Sequence, residues 1–213
     1  MKVEWLGHAS MLVENDGVSV VFDPYQRGSV PGLKDISEEA DFVFVSHSHY
    51  DHDGIDCVKL NAKSSSDIDV HIIDTFHDDK GGALRGPNKI HIIIFENGLK
   101  AVHMGDIGCE LTDGQYELLA DTDVLFMPIG GFFTVAPKLA ADIVKRINPS
   151  VVIPMHFRSD ENPKFGYDAI STKEEFLSYF DSDYSIKTLN DSKFDYNKAD
   201  ALSKQIIVLK PKN

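Results

Sequence analysis

His47-Ser48-His49-Tyr50-Asp51-His52 follows the apolar run Phe42-Val43-Phe44-Val45, with Ser46 between the run and the first histidine. Three imidazoles and a carboxylate within six residues, launched from the end of a buried strand, point to metal. Imidazole is the commonest nitrogen ligand of zinc, and Asp supplies a harder oxygen that suits zinc, manganese or iron. Without a cation, imidazoles packed this closely repel one another whenever protonated. Side chains alternate along an extended segment, so His47 and His49 point to one side and can grip one ion. If the chain then turns, Asp51 and His52 face elsewhere and are placed for a second.

Two ions need donors from further along the chain. His156 follows the apolar strand Val151 to Ile153 and a proline, at the carboxyl end where open sheets present their sites. Asp106 follows Gly105 at the end of another apolar run, and an anionic oxygen there can bridge two cations. Either His77 or His103 completes the first ion. His103 lies three residues before Asp106 and points to the opposite face of a regular strand. His77, in a Gly-rich loop, is therefore preferred, and His103 is expected behind the ligands or in the core. Asp23, in Phe22-Asp23-Pro24, is expected to accept the free ring N–H of a bound histidine and fix its tautomer, unless it serves as a cap or turn residue. His8, at the strand break Gly7-His8-Ala9-Ser10, stands either behind the ligands or as a plain turn residue. His71 and His91 lie within strands and read as structural. After a later strand, Gly130-Gly131-Phe132-Phe133-Thr134 is placed to line a pocket, with the Gly130 and Gly131 amides available to an anionic substrate and Phe132 beside it. Phe132 and Phe133 suit the core equally well.

With 213 residues, one domain spanning 1–213 is expected. A chain of this size buries roughly 70% of its unfolded surface, so a metal is more useful for chemistry than as a staple. The formal charge of −13 argues against general binding to nucleic acid or anionic membranes. Two cysteines, Cys57 and Cys109, make no disulfide framework. The chain shows no charged-then-apolar leader and no apolar run near the roughly 20 residues of a membrane span. These features lead us to expect a reduced, cytoplasmic protein acting on a small molecule, and they are compatible with an assembly of identical copies.

Along the chain, strands are expected at Lys2 to Leu6, Ser10 to Glu14, Val18 to Phe22 and Phe42 to Val45, with Asn15-Asp16-Gly17 as a hairpin turn. Residues 26–40 read as loop, 53–63 as a short helix, and Ser64-Ser65-Ser66 as a linker. Strands follow at Val70 to Asp74, Lys89 to Glu96 and Leu99 to Met104, with a loop from Thr75 to Asn88 and Asn97-Gly98 as a second hairpin turn. Thereafter helices (Thr112 to Leu119, Lys138 to Ile147, Lys173 to Phe180) alternate with strands (Val124 to Met127, Val151 to Ile153, Tyr184 to Thr188, Gln205 to Leu209). That order implies two sheets covered outside by helices.

The residues assembled in this way resemble the metallo-β-lactamase-fold hydrolases. His47-Ser48-His49-Tyr50-Asp51-His52 matches that superfamily's His-x-His-x-Asp-His signature. The similarity to its broad lactonase-like and phosphodiesterase-like branch continues through Trp5-Leu6-Gly7-His8-Ala9-Ser10, Phe22-Asp23-Pro24, Phe76-His77-Asp78, His103-Met104-Gly105-Asp106, Pro128-Ile129-Gly130-Gly131 and Pro154-Met155-His156. The resemblance implies an α/β (α+β) four-layer αββα sandwich. It also implies a dinuclear site, with His47, His49 and His77 on one ion, Asp51, His52 and His156 on the other, and Asp106 bridging. The ions would be zinc foremost, with manganese, nickel or iron compatible. The implied activity is cleavage of an ester, lactone or phosphodiester by a hydroxide shared between the ions, with Asp51 as the catalytic residue that orients it and carries a proton. Cys109 departs from the pattern, because many relatives have a histidine there. Two other readings use the same side chains, an iron-binding redox protein and a non-catalytic metal-binding scaffold.

Overall fold

The apolar runs at the start of the chain pair as an antiparallel meander, β1 (Lys2–Gly7), β2 (Ser10–Asn15) and β3 (Val18–Phe22). Asp16 and Gly17 turn the chain between β2 and β3 with φ of 49° and 83°, the positive pair that a two-residue hairpin requires. The structure is a computed structural model and describes residues 1–61, 68–159, 169–200 and 203–212. The remaining elements are β4 (Glu38–Ala40), β5 (Phe42–Phe44), β6 (Val58–Leu60), β7 (Ile68–Phe76), β8 (Pro87–Phe95), β9 (Lys100–His103), α1 (Asp113–Leu119), β10 (Val124–Pro128), α2 (Pro137–Ile147), β11 (Val151–Met155), α3 (Lys173–Leu177), β12 (Tyr184–Thr188), β13 (Lys193–Asp195) and β14 (Lys204–Val208).

These strands form a five-stranded sheet ordered β13-β1-β2-β3-β5, a seven-stranded sheet ordered β12-β14-β11-β10-β9-β8-β7, and a ribbon of β4 and β6. The two large sheets meet face to face. Phe22 of β3 stacks on His103 of β9 with centroids 5.0 Å apart, and lies 6.1 Å from Phe126 of β10. Every residue of β10 and β11 is buried, as expected for strands covered on both faces. Their other cover is α2, which buries Ala140, Ala141, Ile143, Val144 and Ile147 at helical spacing and packs on β10 between α1 and α3. Pro137 opens α2 and Asn148, left-handed at φ 61°, closes it. Thr112 caps α1 through a reciprocal pair of bonds with Gln115.

The mixed α/β, two-sheet architecture is the expected one, but the layer over the five-stranded sheet is built differently. Among the described residues no α-helix covers it. Leu6, Leu12 and Val21 instead pack under Tyr25, Val30, Ile36, Ala40 and Val58, from the loop after β3 and the β4–β6 ribbon. Where a helix over 53–63 was expected, a single 3-10 turn (Ile55–Cys57) leads into β6, because Val58 to Leu60 pair in parallel with Glu38 to Ala40. Residues 62–66, including the serine linker, lie outside the described residues. β7 is also longer than the sequence implied, since all nine of its residues pair with β8 up to Phe76–Pro87, leaving 77–86 as the loop. Among the described residues no helix is long and apolar enough to cross a membrane.

Candidate metal centre

Five ligand-bearing or supporting loops leave the carboxyl ends of β3, β5, β7, β9 and β11 on one edge of the sandwich. Their side chains converge on Asp106. Its Oδ2 lies 3.2 Å from His52 Nε2, 3.2 Å from His77 Nε2 and 3.1 Å from His156 Nε2. The His47 ring stands 4.5 Å from His49, 4.6 Å from His77 and 4.2 Å from His52. Donor atoms of His47, His49 and His77 lie within 4.8 Å of one another, and so do those of His8, Asp51, His52 and His156. After β5 the chain turns as expected: the N–H groups of His52 and Asp53 both donate to the His49 carbonyl, separating the two pairs of donors.

Asp23 organises the cluster from behind. Its carboxylate accepts the Ser46 N–H (2.7 Å), the Ser46 hydroxyl (2.5 Å) and the Nδ1–H of His52 (2.8 Å). The Ser46 oxygen, its own proton committed to Asp23, accepts from His47 Nδ1 at 2.9 Å. One buried carboxylate thus sets the tautomer of two histidines and leaves both Nε2 atoms facing the cluster. Burial alone would raise the pKa of Asp23 and Asp106, but neighbouring imidazoles outweigh it. His103 and His52 hold Asp23 down, and His156 and His52 hold Asp106 well below the carboxylate range. Burial, then His52, pushes His47 down to about 3, so it is a neutral donor. For His52 burial is overcome, first by Asp106, and the imidazolium is favoured while no cation is present.

A cation fits these residues. Buried His47 Nε2, His77 Nδ1 and Asp106 Oδ1 have no hydrogen-bond partner, which is rare and costly in a folded protein. His47 Nε2 and Asp106 Oδ1 sit where ions would satisfy them, and the His/Asp set suits zinc, manganese or iron. His103 stays out of the cluster: its Nε2 donates to the Ala9 carbonyl (2.8 Å), Nδ1 accepts from Gly105 N–H (3.2 Å), and it is 3.9 Å from Asp23. His77, not His103, therefore stands with His47 and His49. His8 is closer than a supporting position, with Nε2 3.1 Å from Asp51 Oδ2 and 3.2 Å from His52 Nε2. His91 is buried beside Phe44, and exposed His71 pairs with Asp69, so neither reaches the cluster.

The rim differs from the sequence reading. A cavity of about 260 Å³ beside His77 is lined by Arg85, Phe132, Phe133, Thr134 and Leu139. Of the three residues expected to face a substrate, Phe132 lines it, whereas Gly130 and Gly131 do not. Gly130 is a spacer instead: a β-carbon there would sit 2.2 Å from the His156 carbonyl oxygen. Gly108 does the same for His77, with a β-carbon 2.3 Å from its carbonyl carbon. Arg85 was not foreseen. Asp78 places it by accepting N–H bonds from Lys80 (2.8 Å), Gly82 (3.0 Å), Leu84 (2.9 Å) and Arg85 (2.7 Å). The available signal was an Asp opening a Gly-rich loop, a common turn former. The Arg85 guanidinium lies 5.6 Å over the Phe133 ring and has no carboxylate partner among the described residues. Cys109, the departure from the family pattern, is half-buried against the core.

The chain is similar to known proteins in both sequence and fold. The Beta-lactamase superfamily domain profile matches residues 2–156. A UPF0173 metal-dependent hydrolase of Desulforamulus reducens is 30% identical, over 75% of this chain and 85% of its own. One of Methanopyrus kandleri is 27% identical, over 74% and 84%. Among solved structures, a protein of the metallo-beta-lactamase superfamily from Thermotoga maritima superposes with a TM-score of 0.76 at 25% identity, covering 99% of both chains. A metallo hydrolase of Ignicoccus hospitalis shares the fold, with a TM-score of 0.58 at 22% identity over 83% of this chain and 88% of that one. With its donor set in place and most of its length matched, the chain belongs to the beta-lactamase superfamily and to the metal-dependent hydrolases within it.

Proposed function

We propose that the protein hydrolyses an ester, lactone or phosphodiester in a small molecule, using two divalent ions, zinc foremost. His47, His49 and His77 hold one ion, Asp51, His52 and His156 the other, and Asp106 spans both. The observation that carries this reading is the single Asp106 oxygen within 3.1–3.2 Å of Nε2 atoms from three separate loops. When bound, a pair of divalent cations supplies Lewis-acid polarisation of the scissile group and lowers the pKa of an attacking water towards roughly 7. Asp51, whose side chain is 37% exposed, is the residue able to orient that water and pass a proton to the leaving group. Phe132 and Arg85, across the cavity beside His77, hold the substrate's apolar body and any anionic group it carries.

The test joins metal analysis of protein purified without chelator to a panel of chromogenic phosphodiesters, lactones and esters. Two equivalents of divalent metal and a turnover abolished by chelator and restored by metal are expected. Turnover that survives complete metal removal refutes the reading. In Asp51→Ala, activity should fall further than metal content; equal losses would assign Asp51 to binding alone.

A further inference from the structure

The two halves of the donor cluster are not equally furnished, and His8 makes the difference. It sits between β1 and β2 at φ 55°, in the left-handed region that side-chain-bearing residues rarely adopt, and is only 3% exposed. Its carbonyl accepts the His156 N–H (3.2 Å) and the Trp5 indole N–H (2.9 Å), tying this turn to the loop that carries His156. His156 is itself left-handed, at φ 51°. Two uncommon backbone conformations are thus bonded to each other, and together they bring the two rings to a centroid distance of 4.3 Å.

We propose that Nε2 of His8 is a further protein donor to the ion held by Asp51, His52 and His156, an assignment that rests on the two-ion reading above. The distances carry it. Donors about 2.0–2.1 Å from zinc in a tetrahedral shell stand roughly 3.3 Å from one another. His8 Nε2 is 3.1 Å from Asp51 Oδ2 and 3.2 Å from His52 Nε2, so one atom meets two neighbours at the edge length of such a shell. All four donors lie within 4.8 Å of one another. A histidine needed only to donate a hydrogen bond to Asp51 has no reason to bring the same nitrogen against that of His52. His52 Nδ1 is committed to Asp23, so its Nε2 is the face that a cation takes.

The consequence is an asymmetric pair. With His8 and the shared Asp106 counted, the protein supplies five donors to the ion at Asp51, His52 and His156, which leaves that ion little need of an outside ligand, as in sites that hold metal permanently. The ion at His47, His49 and His77 keeps fewer protein donors and borders the cavity of Arg85 and Phe132. Substrate oxygen therefore meets the ion on the His77 side.

Wild-type protein loaded with cadmium-113 tests the ligand directly. Two cadmium resonances are expected, one of them showing scalar coupling to the ring protons of His8, His52 and His156. Coupling to His52 and His156 without His8 overturns the assignment. A second arm uses His8→Gln, which keeps a donor for Asp51 but not the imidazole, titrated with zinc against a competing chelator. One ion should weaken by more than the roughly 10–100-fold that loss of a supporting group costs, while the other is retained. Unchanged affinity for both ions also overturns it. If cadmium couples to His8 but no substrate turns over, the hydrolase reading fails and this one stands.

Discussion

His77 borders a cavity walled by Arg85 and Phe132, whereas His52 and His156 are wrapped by His8, Asp23 and the backbone around Trp5. Exposure alone does not separate them: His49 is exposed and Asp51 half-buried, while His47, His77, His52 and His156 are all buried. One half is positioned by hydrogen bonds that reach deep into the core, and the other ends at a loop that can be approached. Different parts of the fold supply the two halves of the donor cluster.

The most damaging change should be the one shared by both halves. Asp106→Asn removes the charge from the carboxylate whose Oδ2 faces His52, His77 and His156. Activity should fall by at least about 10²–10³-fold, the range for deleting one charge-stabilising group. Retained kcat/KM with full metal content would break the shared-bridge description. Next, Asp23→Asn removes the acceptor that orients His52 and, through Ser46, His47. Affinity for metal should drop about 10–100-fold in a chelator titration, with the larger loss in the ion bound by His52. Equal weakening of both ions would blur the contrast.

Changes on the open side should spare the metal. Phe132→Ala and Arg85→Gln are expected to raise KM several-fold with metal content unchanged, Arg85→Gln mainly for anionic substrates. An exposed or half-exposed charge contributes about 1 kcal/mol or less. Equal effects of Arg85→Gln on neutral and anionic substrates would remove Arg85 from recognition. The smallest effect concerns the loop that carries Arg85. Burial would raise the Asp78 carboxyl, but backbone N–H groups from Arg85, Lys80, Leu84 and Gly82 hold it down to about 2. A depressed acid lends stability that is complete above its unfolded pKa of about 3.9 and is lost as pH falls through the folded value. The protection factors of the Gly82, Leu84 and Arg85 amides should therefore hold to about pH 4 and fall towards about pH 2, independently of metal. Protection that instead fades between neutral pH and 5 would mean another group holds the loop.

Much of this was legible in the chain because the information is local. A histidine two to four residues past an apolar run is at a strand end whatever the run pairs with, and that pattern is what points to His47, His49 and His156. Asn15-Asp16-Gly17 and Thr112 worked for the same reason, since turn and cap chemistry involve neighbours in sequence. The choice of His77 over His103 followed from strand alternation, and the stacking of His103 on Phe22 shows what the other face of β9 does. The expected helix over 53–63 failed because pairing between β4 and β6, nearly twenty residues apart, outweighed local pattern. Gly130 was misread for a related reason: its lack of a side chain serves a contact with His156, which no nearby residue announces.

By itself the sequence determined the donor types, their presentation at strand ends and a two-sheet architecture, because hydrophobic period and residue chemistry act within a few positions. The tertiary structure alone decided that Asp23 and Ser46 orient two histidines at once, that Asp78 places Arg85 beside His77, and that His8 enters the buried half. Each of these depends on atoms within about 3 Å whose residues stand far apart or point by backbone conformation, and distance in space is not written in the order of the chain.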